Sequence, residues 1–283
     1  MGSVDLLHAA VDFKAVGFLE TAAIAQDRLN STHALLVRNF PRDPRLYIDF
    51  LSHLGVPLEN YSKRSSLPGN NLHSSINRIA YTPGTENKPG LHHGSNELRL
   101  HSARSWRHPR PRFLSMYFAD AGWIDNPSGS NGESRLLRWA SALKHYQSKF
   151  PRQFDVDFRI LSEVRVRFEA DNVREELSDL PIIYKLNEAD DFDVGMRIKY
   201  NLIEKLRDGS PPVSDAHLDA VKRLWEVIQD PAIEISFQAH TGDIILVDNN
   251  RYGHGRHPFV DRRTNSVGAT EYNPRELWSV TVE

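Results

Sequence analysis

The predicted fold rests most heavily on one stretch near the end of the chain, Ala239-His240-Thr241-Gly242-Asp243-Ile244-Ile245-Leu246-Val247-Asp248-Asn249-Asn250-Arg251-Tyr252-Gly253-His254-Gly255-Arg256. Gly242-Asp243 is a turn signal, and the apolar run at residues 244–247 is bounded by polar residues, which predicts a buried β-strand. Asp248-Asn249-Asn250 then ends the strand. His254 follows within a few residues, between two glycines. A histidine held beside the mouth of a β-scaffold is well placed to ligate a metal, although such a residue can also be an ordinary loop histidine.

The composition indicates an ordinary globular protein. The 283 residues are enough for one substantial core, and no linker divides them, so we predict a single domain over residues 1–283. A formal charge of -2 suggests neither nucleic acid nor membrane as a partner. No run of about 18 apolar residues and no signal pattern is visible, so we expect a cytoplasmic protein. Because the chain has no cysteine, any metal must be held by His, Asp or Glu.

Short strand patterns outnumber helical ones along the chain. Residues 113–118 and 159–168 alternate as strands do, and residues 262–272 are expected to supply a final strand. The clearest amphipathic helix spans residues 214–228, with Ser214 as its cap. Many short strands without an internal repeat favour a mainly β fold with flanking helices, built on a double-sheet barrel of jelly-roll type.

Four segments in this order resemble one known family. They are the opening strand His33-Ala34-Leu35-Leu36-Val37-Arg38-Asn39-Phe40-Pro41, then Gly90-Leu91-His92-His93, then Asn131-Gly132-Glu133-Ser134, and finally the stretch that ends in His254-Gly255-Arg256. Together they resemble the Fe(II)/2-oxoglutarate-dependent oxygenases of the taurine dioxygenase and clavaminate synthase-like superfamily. The resemblance implies a double-stranded β-helix (jelly-roll, cupin-like) core. It also implies Fe(II), 2-oxoglutarate and O2 as the cofactor and cosubstrates of an enzyme that oxidises an unactivated C–H bond of a small molecule, such as an amino acid or a natural-product intermediate, and releases succinate and CO2.

In this family, iron is held by two histidines and one carboxylate. The resemblance assigns the histidines to His92, or its neighbour His93, and to His254. The usual first motif is His-x-Asp or His-x-Glu, and here Gly94 stands at the carboxylate position. Three explanations stay open. Glu97 supplies the carboxylate from a longer loop; or His92-His93-Gly94 leaves a position that chloride fills, as in the related halogenases; or the site is degenerate and the protein only binds.

The oxo acid needs a cation for its distal carboxylate, which arginine can pair with bidentately. In the family this arginine lies roughly a dozen residues beyond the second histidine and enters the last strand. The resemblance therefore indicates Arg262 and Arg263, with Ser134 at the position of a threonine that also contacts the oxo acid.

Other classes of protein remain open on the sequence alone. A non-oxidative, metal-binding cupin-like protein could use the same histidines without needing the arginine or oxygen. We expect a small-molecule substrate as the partner and leave open whether the chain forms a homodimer.

Overall fold

The computed structural model describes residues 10–59, 72–85, 92–168, 178–207 and 213–283. Its larger sheet has six strands, numbered here in chain order; the first two run parallel and the other neighbours antiparallel. In spatial order they are β1 (Val11–Asp12), β2 (Ala34–Arg38), β12 (Ile244–Asp248), β5 (Phe113–Asp120), β16 (Glu276–Val282) and β3 (Asn77–Ala80). Strand β12 is buried along its whole length, as its apolar run predicts.

A second sheet of four antiparallel strands faces the first. In spatial order its strands are β11 (Ile235–Phe237), β6 (Ser134–Arg138), β13 (Tyr252–Arg256) and β4 (Leu98–His101). One apolar layer joins the sheets, with Leu36, Met116 and Ile245 from the first and Leu136 from the second. Two facing sheets that share a core confirm the predicted mainly β class with a jelly-roll core.

Helices cover the outer faces of both sheets. The larger sheet packs against α1 (Phe13–Val16), α2 (Phe18–Ser31) and α3 (Pro44–Ser52). The smaller sheet packs against α4 (Trp139–Lys149), α5 (Phe154–Glu163), α6 (Leu202–Arg207) and α7 (Asp215–Ile228). Within the described ranges, no helix combines the length and the apolar character needed to cross a membrane.

Three two-stranded sheets complete the fold. They pair β7 (Arg165–Phe168) with β8 (Ser178–Pro181), β9 (Ile183–Lys185) with β10 (Val194–Met196), and β14 (Arg262–Thr264) with β15 (Thr270–Tyr272). The last pair is a hairpin rather than the single strand expected at residues 262–272. Gly268 has a φ of 82° and donates its N–H to the Asn265 carbonyl at 3.0 Å, so the chain reverses there.

Residues 159–168, predicted as one strand, divide between α5 and β7. The buried residues of α5 are Phe154, Asp157 and Leu161, a spacing of three and four that belongs to a helix. Asp157 also accepts two hydrogen bonds from Arg223 of α7, at 2.7 and 2.8 Å. Packing between helices therefore overrides the local alternation.

The small residue Gly253 is required by the packing of α4 against β13. A Cβ atom at this position would lie 2.1 Å from Cη2 of the buried Trp139. We expect Gly253→Ala to lower the free energy of unfolding by about 1–3 kcal/mol, as overpacking does, measured by denaturant titration. In a Trp139→Phe background the shorter ring should relieve part of this cost. An equal cost in both backgrounds would show that the contact is not its source.

Candidate metal centre

His254 lies in the middle of β13, on the face that points into the jelly roll. Its Cα partners are His101 on β4 and Leu136 on β6, and directly opposed residues share one face of a sheet. Leu136 belongs to the apolar layer between the sheets, so His254 points the same way. The sequence predicted a loop after the strand, whereas the structure holds this histidine in a strand with neighbours on both sides.

His101 and His254 form a close pair of imidazoles. Their ring centroids are 4.2 Å apart. His101 Nδ1 lies 2.9 Å from the Arg99 carbonyl, which can only accept, so Nδ1 carries the proton and Nε2 keeps its lone pair. Within the described part of the chain, His101 Nε2 and His254 Nδ1 are buried and lack a hydrogen-bond partner.

The electrostatic setting keeps both rings neutral. Burial, followed by the nearby charges of His101, His92 and Arg110, lowers the pKa of His254 well below its ordinary value. Burial also lowers the pKa of His101. At neutral pH, each ring therefore offers an unprotonated nitrogen. Two unpaired buried nitrogens on adjacent rings fit a shared metal ion, because metal ligation would satisfy both.

His92, predicted as the first ligand, lies at the rim of this pair. Its ring centroid is 5.4 Å from that of His101. The residue keeps an exposed face, yet its ring sits in the crowded rim, where desolvation and then His101 lower its pKa. Gly90 and Leu91 of the same motif lie outside the described residues. Over the described ranges, no three His, Asp or Glu side chains are already arranged to hold a metal.

The structure thus makes His101, which sequence reasoning missed, the strand partner of His254. Two signals were available. His101 ends the short β pattern of residues 98–101, and the small residues Ser102 and Ala103 follow it. The segment after His101 is held in place, since Ser102 Oγ donates to the Met196 carbonyl at 2.6 Å and accepts from the Ile198 N–H at 3.1 Å.

Glu97, predicted as the iron carboxylate, is not brought to the histidines. Its carboxylate forms an ion pair with Arg135, which also binds Glu234 at 2.6 Å. Arg135 is the Cα partner of Gly255, one residue from His254, and successive side chains in a strand point to opposite faces. Glu97 is therefore engaged on the outer side of the smaller sheet.

Arg262 and Arg263 lie on the β14–β15 hairpin, away from the pair of histidines. Arg263 donates to Asp125 and lies over the Trp123 ring at 4.5 Å, and Arg262 is exposed. The carboxylate of Asp125 already neutralises Arg263. Neither arginine is placed as a free cation between the two sheets.

Arg275, which directly precedes β16, is a buried arginine that the sequence analysis did not consider. Its guanidinium lies 5.2 Å from the Phe118 ring and 5.9 Å from the Phe259 ring, without a hydrogen-bond or carboxylate partner in the described part of the chain. Burial lowers its pKa to about 10, so it stays charged at neutral pH. Arg275 lies 275 − 254 = 21 residues after His254, further than the separation of roughly a dozen residues that the resemblance implies, because the β14–β15 hairpin lengthens the connection.

Ser134 and Arg256 lie two residues further along β6 and β13 than Leu136 and His254. They are Cα partners on β6 and β13, on the same face as His254. Both are buried. The interior therefore presents two imidazoles, then a hydroxyl and a guanidinium, and then the free guanidinium of Arg275. These groups suit a metal ion that carries a dicarboxylate: imidazoles can ligate the metal, and a hydroxyl and a guanidinium can bind carboxylate oxygens.

Comparisons with known proteins identify the fold and the family. Asparagine oxygenase (AsnO) superposes with a TM-score of 0.65 and 16% identity, covering 93% of this chain and 78% of that chain. The non-heme iron oxygenase OrfP, in complex with Fe, succinate and (3R,4R)-dihydroxy-L-Arg, superposes with a TM-score of 0.63 and 16% identity, covering 94% and 81%. These likenesses show the shared fold. Curated protein sequences contain no match. One family model matches residues 5–280, and the chain therefore belongs to the taurine catabolism dioxygenase TauD, TfdA family.

Proposed function

We propose that this dioxygenase uses Fe(II), 2-oxoglutarate and O2 to oxidise an unactivated C–H bond of a small molecule, with release of succinate and CO2. One observation carries the proposal: His101 and His254 are adjacent rings whose centroids lie 4.2 Å apart, and each has a buried nitrogen without a hydrogen-bond partner among the described residues. Similar solved structures contain Fe with α-ketoglutaric acid or with succinate, as their descriptions state.

Each residue of the interior has a defined task in this proposal. His101 and His254 hold the iron, which when bound supplies the activation of O2. Arg275 pairs with the distal carboxylate of 2-oxoglutarate, because a buried guanidinium without a protein acid favours a bidentate anion. Ser134 lies on the same face, where its hydroxyl can donate to the oxo acid. The two sheets exclude water from the reacting groups.

An amino acid is the substrate class that the comparisons favour. AsnO has been solved with 3-hydroxyasparagine and succinate, and OrfP with hydroxylated L-Arg. Both structures cover most of this chain. We therefore place a free amino acid, or a small molecule that carries one, beside the iron.

The test is an anaerobic titration of the purified protein with Fe(II) and 2-oxoglutarate. We expect a weak visible charge-transfer band that requires both additions, because it arises only when the oxo acid chelates iron. The same addition with Zn(II) in place of Fe(II) should give no band and serves as the control. Absence of the band at saturating Fe(II) would reject the proposed function.

A second candidate, halogenation, is favoured by one observation. The residue two positions after the first histidine lacks a carboxylate whether that histidine is His92 or His101, since Gly94 and Ala103 stand there. Chloride could occupy the position. If the protein is a halogenase, we expect added chloride to shift the charge-transfer band. If it is an oxygenase, we expect the band to be the same with and without chloride.

A further inference from the structure

The position two residues after His101 has no side chain that could ligate a metal. It is occupied by Ala103, whose backbone carbonyl accepts from Arg110 Nη2 at 3.3 Å and from Asn249 Nδ2 at 3.4 Å. Arg110 and Asn249 are buried and also bond to each other. This network fixes the backbone at Ala103, so a neighbouring residue cannot readily take over the position by a shift of the chain.

Three carboxylates of the described residues around the smaller sheet are engaged elsewhere. Glu97 pairs with Arg135. Glu133 accepts from the Gly129 N–H at 2.6 Å and the Asn131 N–H at 3.2 Å. Asp248 binds Arg251 at 2.8 Å. None of these three acids is free to serve as a third protein ligand, which turns attention to neutral donors among the described residues.

His92 is the neutral donor within reach. Its ring lies 5.4 Å from that of His101, and its imidazole has no hydrogen-bond partner among the residues that the structure describes. The residue is exposed on one side, at the rim of the pair of histidines. Imidazole is a good ligand for Fe(II) and for the neighbouring divalent metals.

The segment that carries His92 is tied down on its C-terminal side. His93 Nδ1 donates to the Ala80 carbonyl at 2.9 Å, the buried Arg256 donates to the Gly94 carbonyl at 2.8 Å, and the Phe259 N–H donates to the Ser95 carbonyl at 3.0 Å. Because the chain is held at three successive residues, the position of the preceding residue, His92, is defined. Arg256 is thus a positioning residue for the rim of the site.

We infer that His92 supplies the third protein ligand of the metal, giving a set of three histidines in place of two histidines and a carboxylate. This inference rests on the proposed function, because it concerns the same iron. For His92 to ligate the metal, rotation about its Cα–Cβ and Cβ–Cγ bonds must turn its ring, whose centroid lies 5.4 Å from that of His101, toward the metal. The set is neutral, so the bound metal keeps its full double charge and attracts a dianionic oxo acid strongly.

The experiment counts imidazole ligands directly on the Cu(II)-loaded protein by pulsed electron paramagnetic resonance. We expect three coordinated imidazoles in the wild type and two in His92→Gln. Anaerobic Fe(II) titration should show His92→Gln weakened by roughly 10- to 100-fold. The matched control is His93→Gln, whose histidine has a structural hydrogen bond; it should keep three imidazoles.

A second background separates ligation from folding. The Ala103→Asp variant places a carboxylate two residues after His101, where the family has its third iron ligand. In this background, the further substitution His92→Gln should lower Fe(II) affinity only slightly. A wild type that shows two imidazoles, or an Fe(II) affinity that depends on chloride and ignores His92→Gln, would overturn the inference while leaving the charge-transfer test of the proposed function intact. Equal losses in His92→Gln and His93→Gln would also overturn it, because they would indicate loop damage.

Discussion

His254→Ala is expected to weaken Fe(II) binding by more than roughly 100-fold, beyond the range typical for loss of an outer-shell partner, and to abolish 2-oxoglutarate turnover. The reason lies in the small number of ligands. Among the described residues, His254 and His101 are the two adjacent imidazoles with buried unpaired nitrogens, so we expect removal of either to leave an open site that holds iron weakly. Anaerobic metal titration and succinate release measure the two effects, and a thermal melt shows whether the variant folds.

Glu97→Ala is the companion to that variant. Because the Glu97 carboxylate pairs with Arg135 on the outer side of the smaller sheet, its loss should leave Fe(II) affinity within about threefold of wild type, while a half-exposed ion pair contributes at most about 1 kcal/mol to stability. A strong loss of Fe(II) affinity in Glu97→Ala would return this residue to the metal. Retained turnover in His254→Ala would remove His254 from it.

Arg275→Ala is expected to raise the 2-oxoglutarate requirement far more than it lowers kcat at saturation. A charge-assisted bidentate pair lost from a buried site costs on the order of 2–3 kcal/mol, or roughly 30- to 150-fold in affinity. We expect a large loss of 2-oxoglutarate affinity because Arg275 is buried and no acid among the described residues neutralises its charge. The measurement is the 2-oxoglutarate dependence of succinate formation, together with the oxo-acid titration of the charge-transfer band.

Two further variants serve as controls for the effect of Arg275→Ala on the 2-oxoglutarate requirement. Arg275→Lys keeps the charge but loses the planar fork, so it should fall between wild type and Arg275→Ala. Arg263→Gln alters the arginine that Asp125 already neutralises, and it should leave the 2-oxoglutarate requirement unchanged. If Arg263→Gln shows the larger effect, the cosubstrate lies near the β14–β15 hairpin instead.

The parts of the fold that follow from local pattern were predictable. Strand β12 has a continuous apolar run and helix α7 a clear apolar periodicity, and the structure buries all of β12 and, on α7, Val221, Leu224 and Ile228. The jelly-roll class and the family follow from the order of several motifs. The helix over residues 154–163 was hidden because Ile160 and Val164 fit both alternation and helical spacing until α7 is packed against them.

The site was harder to predict because it is assembled across strands. His254 was identified from its motif, but its partner depends on which residue of β4 is opposite it, and register is a property of the sheet. The sequence motif pointed to His92-His93 and not to His101, which lies nine residues further along the chain than His92. Arg275 was missed for a related reason, since a hairpin of unpredicted length separates it from His254.

The sheet order gives the two strand-borne histidines unequal anchorage. His254 is on β13, which has a strand on each side, whereas His101 is on β4, which among the described strands is bonded to β13 alone. A metal ion bound by both histidines would cross-link the edge strand β4 to its neighbour β13, and this cross-link would be lost when the metal dissociates. Ligand that binds only the folded form at 100 times its Kd adds about 2.7 kcal/mol of stability. If His101 and His254 hold the iron as proposed, we expect its loss during storage or dialysis to loosen β4, so that resistance to proteolysis declines in step with specific activity.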